Sequence, residues 1–352
     1  DSVSPPPASA EAQRETLEQT LALQRKAYLA NPYPSRAQRK DDLLRLKAFV
    51  RDNRDAILDA ISADYGNRSR HETLFAEIYG VLDGIDHAIG NLRKWMKPQR
   101  RSIDLKNFFG ARNRVIPQPL GVVGHIVPWN FPIFLCFGGL TSAFAAGNRC
   151  MVKMSENSRG LARLLIELAP KYFPADKLAF FDETGGVGIA FSQLKFDHLL
   201  FTGSGQTGRA VMAAASQNLC PVTLELGGKA PALVCDDFPL RTAVERITFF
   251  KYFNAGQICT TADHAFVPQG RIAEFVEIAR TVVSARYPAL HSPDYTSVID
   301  DRAFQRITQA LAEFGRNGVP LYVLYDRSGK AALLPQLRSG ACSPTHRRSR
   351  AI

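Results

Sequence analysis

The chain has 352 residues, of which 45% are hydrophobic and 22% charged, which excludes a disordered, collagen-like or small disulfide-rich protein. That length predicts two domains. The formal charge of +11 suggests a polyanion partner, but residues 327–352 carry six basic residues (Arg327, Lys330, Arg338, Arg347, Arg348 and Arg350) and no acidic ones. The surplus therefore belongs largely to the end of the chain, and no nucleic-acid partner is expected for the body.

Residues 1–35 begin Asp1-Ser2-Val3-Ser4-Pro5-Pro6-Pro7 and predict a disordered leader with no secretory signal. The stretch 37–63 sets Leu43, Leu44, Leu46, Val50, Ile57 and Leu58 among charges. With 73–95 it predicts an amphipathic helical front end closed by Pro98. Arg100 and Arg101 then read as a solvated surface. The longest uncharged run, 126–148, is broken by Pro128, Pro132, Gly138 and Gly139, so it predicts a loop and a buried helix rather than a membrane span.

From Val115 the texture changes. Strands are predicted over 121–127, 150–153, 178–181 and 198–201, with helices over 131–146, around 161–168, over 185–190 and from Ser204. Strand and helix alternating at this spacing predict an α/β fold with a doubly wound parallel sheet of the Rossmann type. Strands over 222–226, 232–235 and 264–267, with helices over 241–253, 271–284 and 302–314, predict an incomplete second α/β domain. The expected organisation is a leader (1–35), a helical front end with cofactor domain (36–226), a partial catalytic domain (227–325) and a basic tail (326–352).

The six cysteines (Cys136, Cys150, Cys220, Cys235, Cys259 and Cys342) stand singly, without metal-ligand spacing. They predict free thiols and a reducing, cytoplasmic setting, with Cys136, Cys150, Cys220 and Cys235 as buried structural residues.

Five segments can carry chemistry. Phe201-Thr202-Gly203-Ser204, followed by Gly208, lies between a strand and a helix, where glycines and helix N–H groups can face a phosphate and Ser204 can cap the helix. Lys153-Met154-Ser155-Glu156 follows a strand of the same sheet, and its lysine and carboxylate suit ribose hydroxyls. Taken alone, that segment reads more simply as a surface lysine and a helix-starting glutamate. Gly256-Gln257-Ile258-Cys259 follows a helix and offers a thiol that needs an acidifying environment or a base to react. Leu224-Glu225-Leu226-Gly227-Gly228-Lys229 puts a carboxylate at the end of an apolar strand, where burial is expected to raise its pKa towards that of a usable base. Pro128-Trp129-Asn130-Phe131-Pro132 holds an asparagine that can offer N–H to an oxyanion.

In this order and spacing the five segments resemble the aldehyde dehydrogenase superfamily, with similarity traceable over residues 36–319. The wording of 151–158, 253–261 and 294–301 is most similar to the class 3-like branch and, within it, to bacterial coniferyl aldehyde dehydrogenases. Met154 departs from the proline common at that place.

The resemblance implies a Cys259 nucleophile, an oxyanion held by Asn130 and the Cys259 N–H, and Glu225 as the base for hydrolysis of a thioester. It implies cofactor contacts from Lys153, Glu156, Gly203, Ser204, Gly208 and Gly227. Glu156 favours an unphosphorylated ribose and so NAD, with NADP tolerated in this branch. The implied reaction is oxidation of an aldehyde, with coniferyl aldehyde giving ferulate. Alternatives are a broad-specificity aliphatic and aromatic aldehyde dehydrogenase or a catalytically silent cofactor-binding chain.

The family's second carboxylate segment, E-x-F-G-P, has no counterpart: Glu313-Phe314-Gly315 is followed by Arg316 and reads as a helix end. Beyond about Tyr325 the family likeness stops, which points to a truncated or frameshifted end. The expectation is weak or absent turnover and no family homodimer.

Overall fold

In the computed structural model, residues 10–315 are described except 105, 185, 290 and 291, together with 323–325 and 331–333. The chain does not begin as predicted. Within the supposed leader, helix α1 (Ala10–Ala30) is built from strong helix formers with no glycine or proline. Its Leu17 and Leu21 are buried against the sheet, and Gln24 donates to the carbonyls of Cys150 and Ala175 at 2.9 and 3.0 Å. A stripe of two leucines is thin, but the buried amide adds two hydrogen bonds that water would otherwise supply.

The helical front end follows as α2 (Arg36–Asp52), α3 (Arg54–Tyr65), α4 (Arg70–Thr73), a π-helical turn (Leu74–Tyr79) and α5 (Gly80–Trp95). A reciprocal cap fixes the start of α2: Ser35 Oγ accepts from the Gln38 N–H, and Gln38 Oε1 accepts from the Ser35 N–H. The basic stretch at Arg100 forms an exposed antiparallel hairpin, β1 (Gln99–Arg101) with β2 (Asn113–Val115).

The cofactor-type unit then runs β3 (Val122–Ile126), α6 (Pro132–Ala146), β4 (Arg149–Lys153), α7 (Arg159–Leu168), β5 (Leu178–Phe181), α8 (Val187–Ser192), β6 (His198–Gly203), α9 (Gly205–Ser216) and β7 (Val222–Leu226). All five strands are parallel, in the order β5-β4-β3-β6-β7. One apolar core lies between the sheet, the front-end helices, α6 and α7, while a second joins the other face to α1, α8 and α9. Both faces are covered, as a doubly wound sheet requires. β3, at the centre, is buried at all five residues.

The strand order reverses between β3 and β6, and in open α/β sheets ligands bind outside the carboxyl ends of strands at this point. Asn130 follows β3, and Ser204 follows β6.

Residues 227–229 lead to a second, smaller unit: β8 (Ala230–Leu233), α10 (Leu240–Tyr252), β9 (Ala262–Phe266), α11 (Ile272–Arg286) and α12 (Asp301–Gly315). β8 and β9 are parallel neighbours, so this unit is also βαβ. The end of α12 at Gly315 places Glu313-Phe314-Gly315 at a helix terminus, as the sequence indicated. β10 (Val323–Tyr325) pairs antiparallel with β11 (Ala331–Leu333), so part of the predicted tail lies in a hairpin. Cys342 and the other tail residues lie outside the described residues. Among the described residues no helix is long and apolar enough to cross a membrane.

Candidate active site

The segment before Cys259 is shaped by its backbone. Asn254, Ala255 and Gly256 have φ of 50, 51 and 73°, three successive left-handed residues that end α10 and turn the chain. Asparagine tolerates this region and alanine is strained there by about 1–2 kcal/mol, so neighbouring contacts must hold the turn. A Cβ on Gly256 would stand 2.9 Å from the Lys251 carbonyl oxygen, so only glycine fits.

Those contacts come from distant parts of the chain. The Asn254 N–H donates to Glu72 Oε2 at 3.0 Å, and the same oxygen accepts from Thr296 Oγ1 at 2.7 Å. Asn254 Nδ2 reaches Tyr65 Oη and the carbonyls of Asn130 and Gln257, each at 3.3 Å. Gln257 Nε2 donates to the Ser297 carbonyl and Gln257 Oε1 accepts from the Ile299 N–H, both at 3.0 Å. Residues 296–299 are thereby fastened beneath the thiol loop.

Asn130 is held on the same network. Its carbonyl accepts from Arg68 Nη1 at 2.9 Å and from Tyr65 Oη at 3.1 Å, while its side-chain Nδ2 donates to the Gln257 carbonyl at 3.2 Å. Arg68 is fully buried with Glu77, an ion pair at 2.7 Å, and Glu77 Oε2 accepts from the N–H groups of Ile133 and Phe134 at the start of α6. Burial, outweighing Arg68 beside it, raises the Glu77 pKa, and burial likewise raises that of Glu72. The Tyr65 hydroxyl is pushed up to about 12 by burial, so it remains a hydrogen-bond donor.

Cys259 is an exposed free thiol at the end of this segment. Cys136, Cys150 and Cys220 are buried, and burial raises the pKa of each, that of Cys150 to about 12. Cys235 is exposed, contrary to the sequence reading: it lies just past β8, where its neighbour Val234 is the residue buried against α10.

Glu225 also departs from expectation. β7 is the sheet edge, and its last two residues, Glu225 and Leu226, are exposed, so the carboxylate is not in the apolar surroundings expected for it. Its register links two predicted segments: Glu225 pairs with Thr202 and Leu226 with Gly203, beside Ser204. The loop that follows approaches the thiol segment, since a Cβ on Gly228 would stand 3.1 Å from the Cys259 carbonyl oxygen.

On the cofactor side, Ser204 caps α9 by accepting from the Thr207 N–H at 3.1 Å. A Cβ on Gly203 would meet the Phe201 ring at 2.6 Å, and one on Gly208 would meet Leu226 at 3.1 Å. Around Gly227 a Cβ would meet nothing within 4 Å. Lys153 ends β4 and Glu156 lies exposed in the next turn. The Lys153 ammonium contacts Glu183, which the sequence reading had not singled out.

A doubly wound parallel sheet whose switch-point asparagine is tied to the segment that carries an exposed thiol defines an α/β protein of the doubly wound class. The chain belongs to the aldehyde dehydrogenase family, whose pattern matches residues 8–332, beginning before and ending after the span traced from the motifs. It is 47% identical over 321 residues to the "Probable coniferyl aldehyde dehydrogenase" of Pseudomonas aeruginosa, covering 91% of this chain and 67% of that protein. The "Coniferyl aldehyde dehydrogenase" of a Pseudomonas species is 43% identical, over 86% of this chain and 63% of that one. Rat "Aldehyde dehydrogenase family 3 member B1" is 34% identical, in keeping with the class 3-like branch. Among solved structures, the substrate-bound Staphylococcus aureus AldH superposes with a TM-score of 0.83 at 28% identity, covering 89% of this chain and 68% of that one. A Mycobacterium tuberculosis aldehyde dehydrogenase complexed with NAD+ gives 0.78 at 25% identity, covering 89% and 64%. The chain spans roughly two thirds of the length of these curated relatives (67% and 63% for the two Pseudomonas proteins).

Proposed function

We propose that the chain oxidises an aldehyde to the carboxylic acid, with Cys259 as nucleophile. The observation that carries this reading is the Asn130 side chain, tied at 3.2 Å to Gln257 two residues before an exposed thiol. The Cys259 thiolate adds to the carbonyl carbon, and the oxygen that becomes anionic is met by Asn130 Nδ2 and the Cys259 N–H. Loss of hydride from that carbon leaves a thioester on Cys259. Glu225 takes a proton from the water that hydrolyses it, releasing the acid and the thiolate.

A nicotinamide dinucleotide, when bound, supplies the hydride acceptor. The residues fit such a group: the space around Gly227 is open, Ser204 caps a twelve-residue helix, and Lys153 offers an ammonium at a strand end. Lys153 and Glu156 bind the adenine ribose, Gly203, Ser204 and Gly208 border the pyrophosphate, and Gly227 leaves space beside the nicotinamide. NAD is the expected cofactor, with NADP as second choice.

The names of the two Pseudomonas relatives support an aromatic substrate, coniferyl aldehyde oxidised to ferulate. A second reading, a cofactor-binding chain with little turnover, is favoured by the exposed apolar side chains Leu233, Phe250 and Phe266 on the smaller unit. Purified protein given coniferyl aldehyde and NAD separates the two. Catalytic NADH formation would support the first reading, and NAD binding without it, as the absence of the family's second carboxylate segment leads one to expect, would support the second.

A further inference from the structure

Lys153 and Phe181 are register partners at the carboxyl ends of β4 and β5, and Glu183 lies two residues beyond. The Glu183 carboxylate bridges two donors. One oxygen contacts the Lys153 ammonium, and the other accepts from the Gly188 N–H at 3.2 Å. The side chains are only 12% (Lys153) and 19% (Glu183) exposed. A Cβ on Gly188 would lie 2.8 Å from Glu183 Oε2 and 3.2 Å from Lys153 Nζ, so the pair needs a glycine beneath it.

The flank of Glu183 is fastened as well. Thr184 Oγ1 donates to Asp182 Oδ1 at 3.0 Å and accepts from Gln13 Nε2 of α1 at 2.9 Å. The carboxylate is thus pre-positioned rather than carried on a free loop.

We propose that Glu183 is a specificity-determining residue that makes this site select a dinucleotide with a free ribose 2′-hydroxyl over one with a 2′-phosphate. The proposal rests on the reading of Lys153 as a ribose-binding residue. With its charge already matched by Glu183, the lysine offers N–H groups, which suit a neutral hydroxyl. A 2′-phosphate brings roughly two negative charges to the same ammonium. It then meets one carboxylate held in contact with that ammonium and, from the turn after β4, Glu156. Like charges a few ångströms apart in a partly buried site disfavour the phosphorylated ligand by on the order of tenfold or more.

The test is equilibrium binding of NADH and NADPH to the intact chain, followed by nucleotide fluorescence, for the parent, Glu183→Gln and Glu183→Asp, with folding checked by circular dichroism. The parent is expected to bind NADH about tenfold or more tightly than NADPH. Glu183→Gln keeps an acceptor for the Gly188 N–H but removes the charge, so it should tighten NADPH about tenfold and leave NADH within about threefold. Glu183→Asp keeps the charge and should keep the parent's preference; if the glutamine variant does not fold, Glu183→Ser replaces it. An unchanged ratio in the neutral variant, or a parent that binds NADPH as well as NADH, would overturn the role of Glu183 alone. A parent that binds neither nucleotide would overturn the cofactor reading and this inference together.

Discussion

Glu72, in the helical front end, accepts a hydrogen bond from the backbone N–H of Asn254 at 3.0 Å, across 182 residues of sequence. The left-handed turn that aims Cys259 is therefore anchored in a part of the chain that contributes nothing to the reaction directly. Replacing Glu72 with Ala leaves the Asn254 N–H and the Thr296 hydroxyl unpaired in a buried site. A loss of about 2–4 kcal/mol is expected from two such groups. Glu72→Gln should lose less, because it retains an acceptor oxygen. Urea unfolding of the three proteins measures this, and an unchanged midpoint in Glu72→Ala would contradict the anchoring.

Gly256 should resist substitution for two reasons at once: its φ of 73° and a Cβ approach of 2.9 Å to Lys251. Gly256→Ala is expected to cost about 1–3 kcal/mol and to displace the thiol segment. The measurement is the melting temperature, with the rate of Cys259 alkylation as a local readout. A variant that matches the parent in both would show that the turn is not under this constraint.

His125 gives a pH dependence. It is buried in the central strand, neither ring nitrogen has a hydrogen-bond partner among the described residues, and burial lowers its pKa from 6.5 to about 4. The folded state therefore keeps the ring neutral while the unfolded chain takes up a proton below its own pKa near 6.5. Stability from this group is intact above pH 6.5, falls as the pH drops, and levels off below about 4. The full loss is on the order of 3 kcal/mol. His125→Leu should flatten the melting temperature across that window relative to the parent. An equally steep decline in the variant would assign the acid sensitivity elsewhere.

Asn130→Ala should reduce turnover about a hundred- to a thousand-fold through loss of one oxyanion donor, while nucleotide affinity changes little. Steady-state kinetics and direct binding, taken together, check it. A parallel loss of both would mark Asn130 as a structural residue, through its contacts with Gln257, rather than an oxyanion donor.

Much of this was legible in the sequence because it is local. Strands at Leu178–Phe181 and Val222–Leu226 match their predicted bounds, and four of the five motif segments fall at strand ends or helix starts, while the Cys259 segment follows the end of α10. What escaped is set by long-range packing. Arg68, Glu72 and Glu77 look like solvated charges in an amphipathic stretch, and nothing local says that they are buried against Asn130, Asn254 and α6. Glu225 sits between two leucines and reads as buried, but its strand lies at the sheet edge. α1 follows a proline-rich start and buries only a narrow stripe, so periodicity gave it little weight. Glu183 was missed because its meaning comes from the neighbouring strand that carries Lys153.

The central claim is that carbon–sulfur chemistry occurs at Cys259, and it is tested most directly by mass spectrometry of Glu225→Gln after exposure to coniferyl aldehyde and NAD. With the water-activating carboxylate removed, an acyl group should accumulate on the peptide that contains Cys259 and be absent when Cys259 is also replaced by Ala. NADH formation by the parent chain with no label on that peptide, and with Cys259→Ala still turning over, would contradict the account.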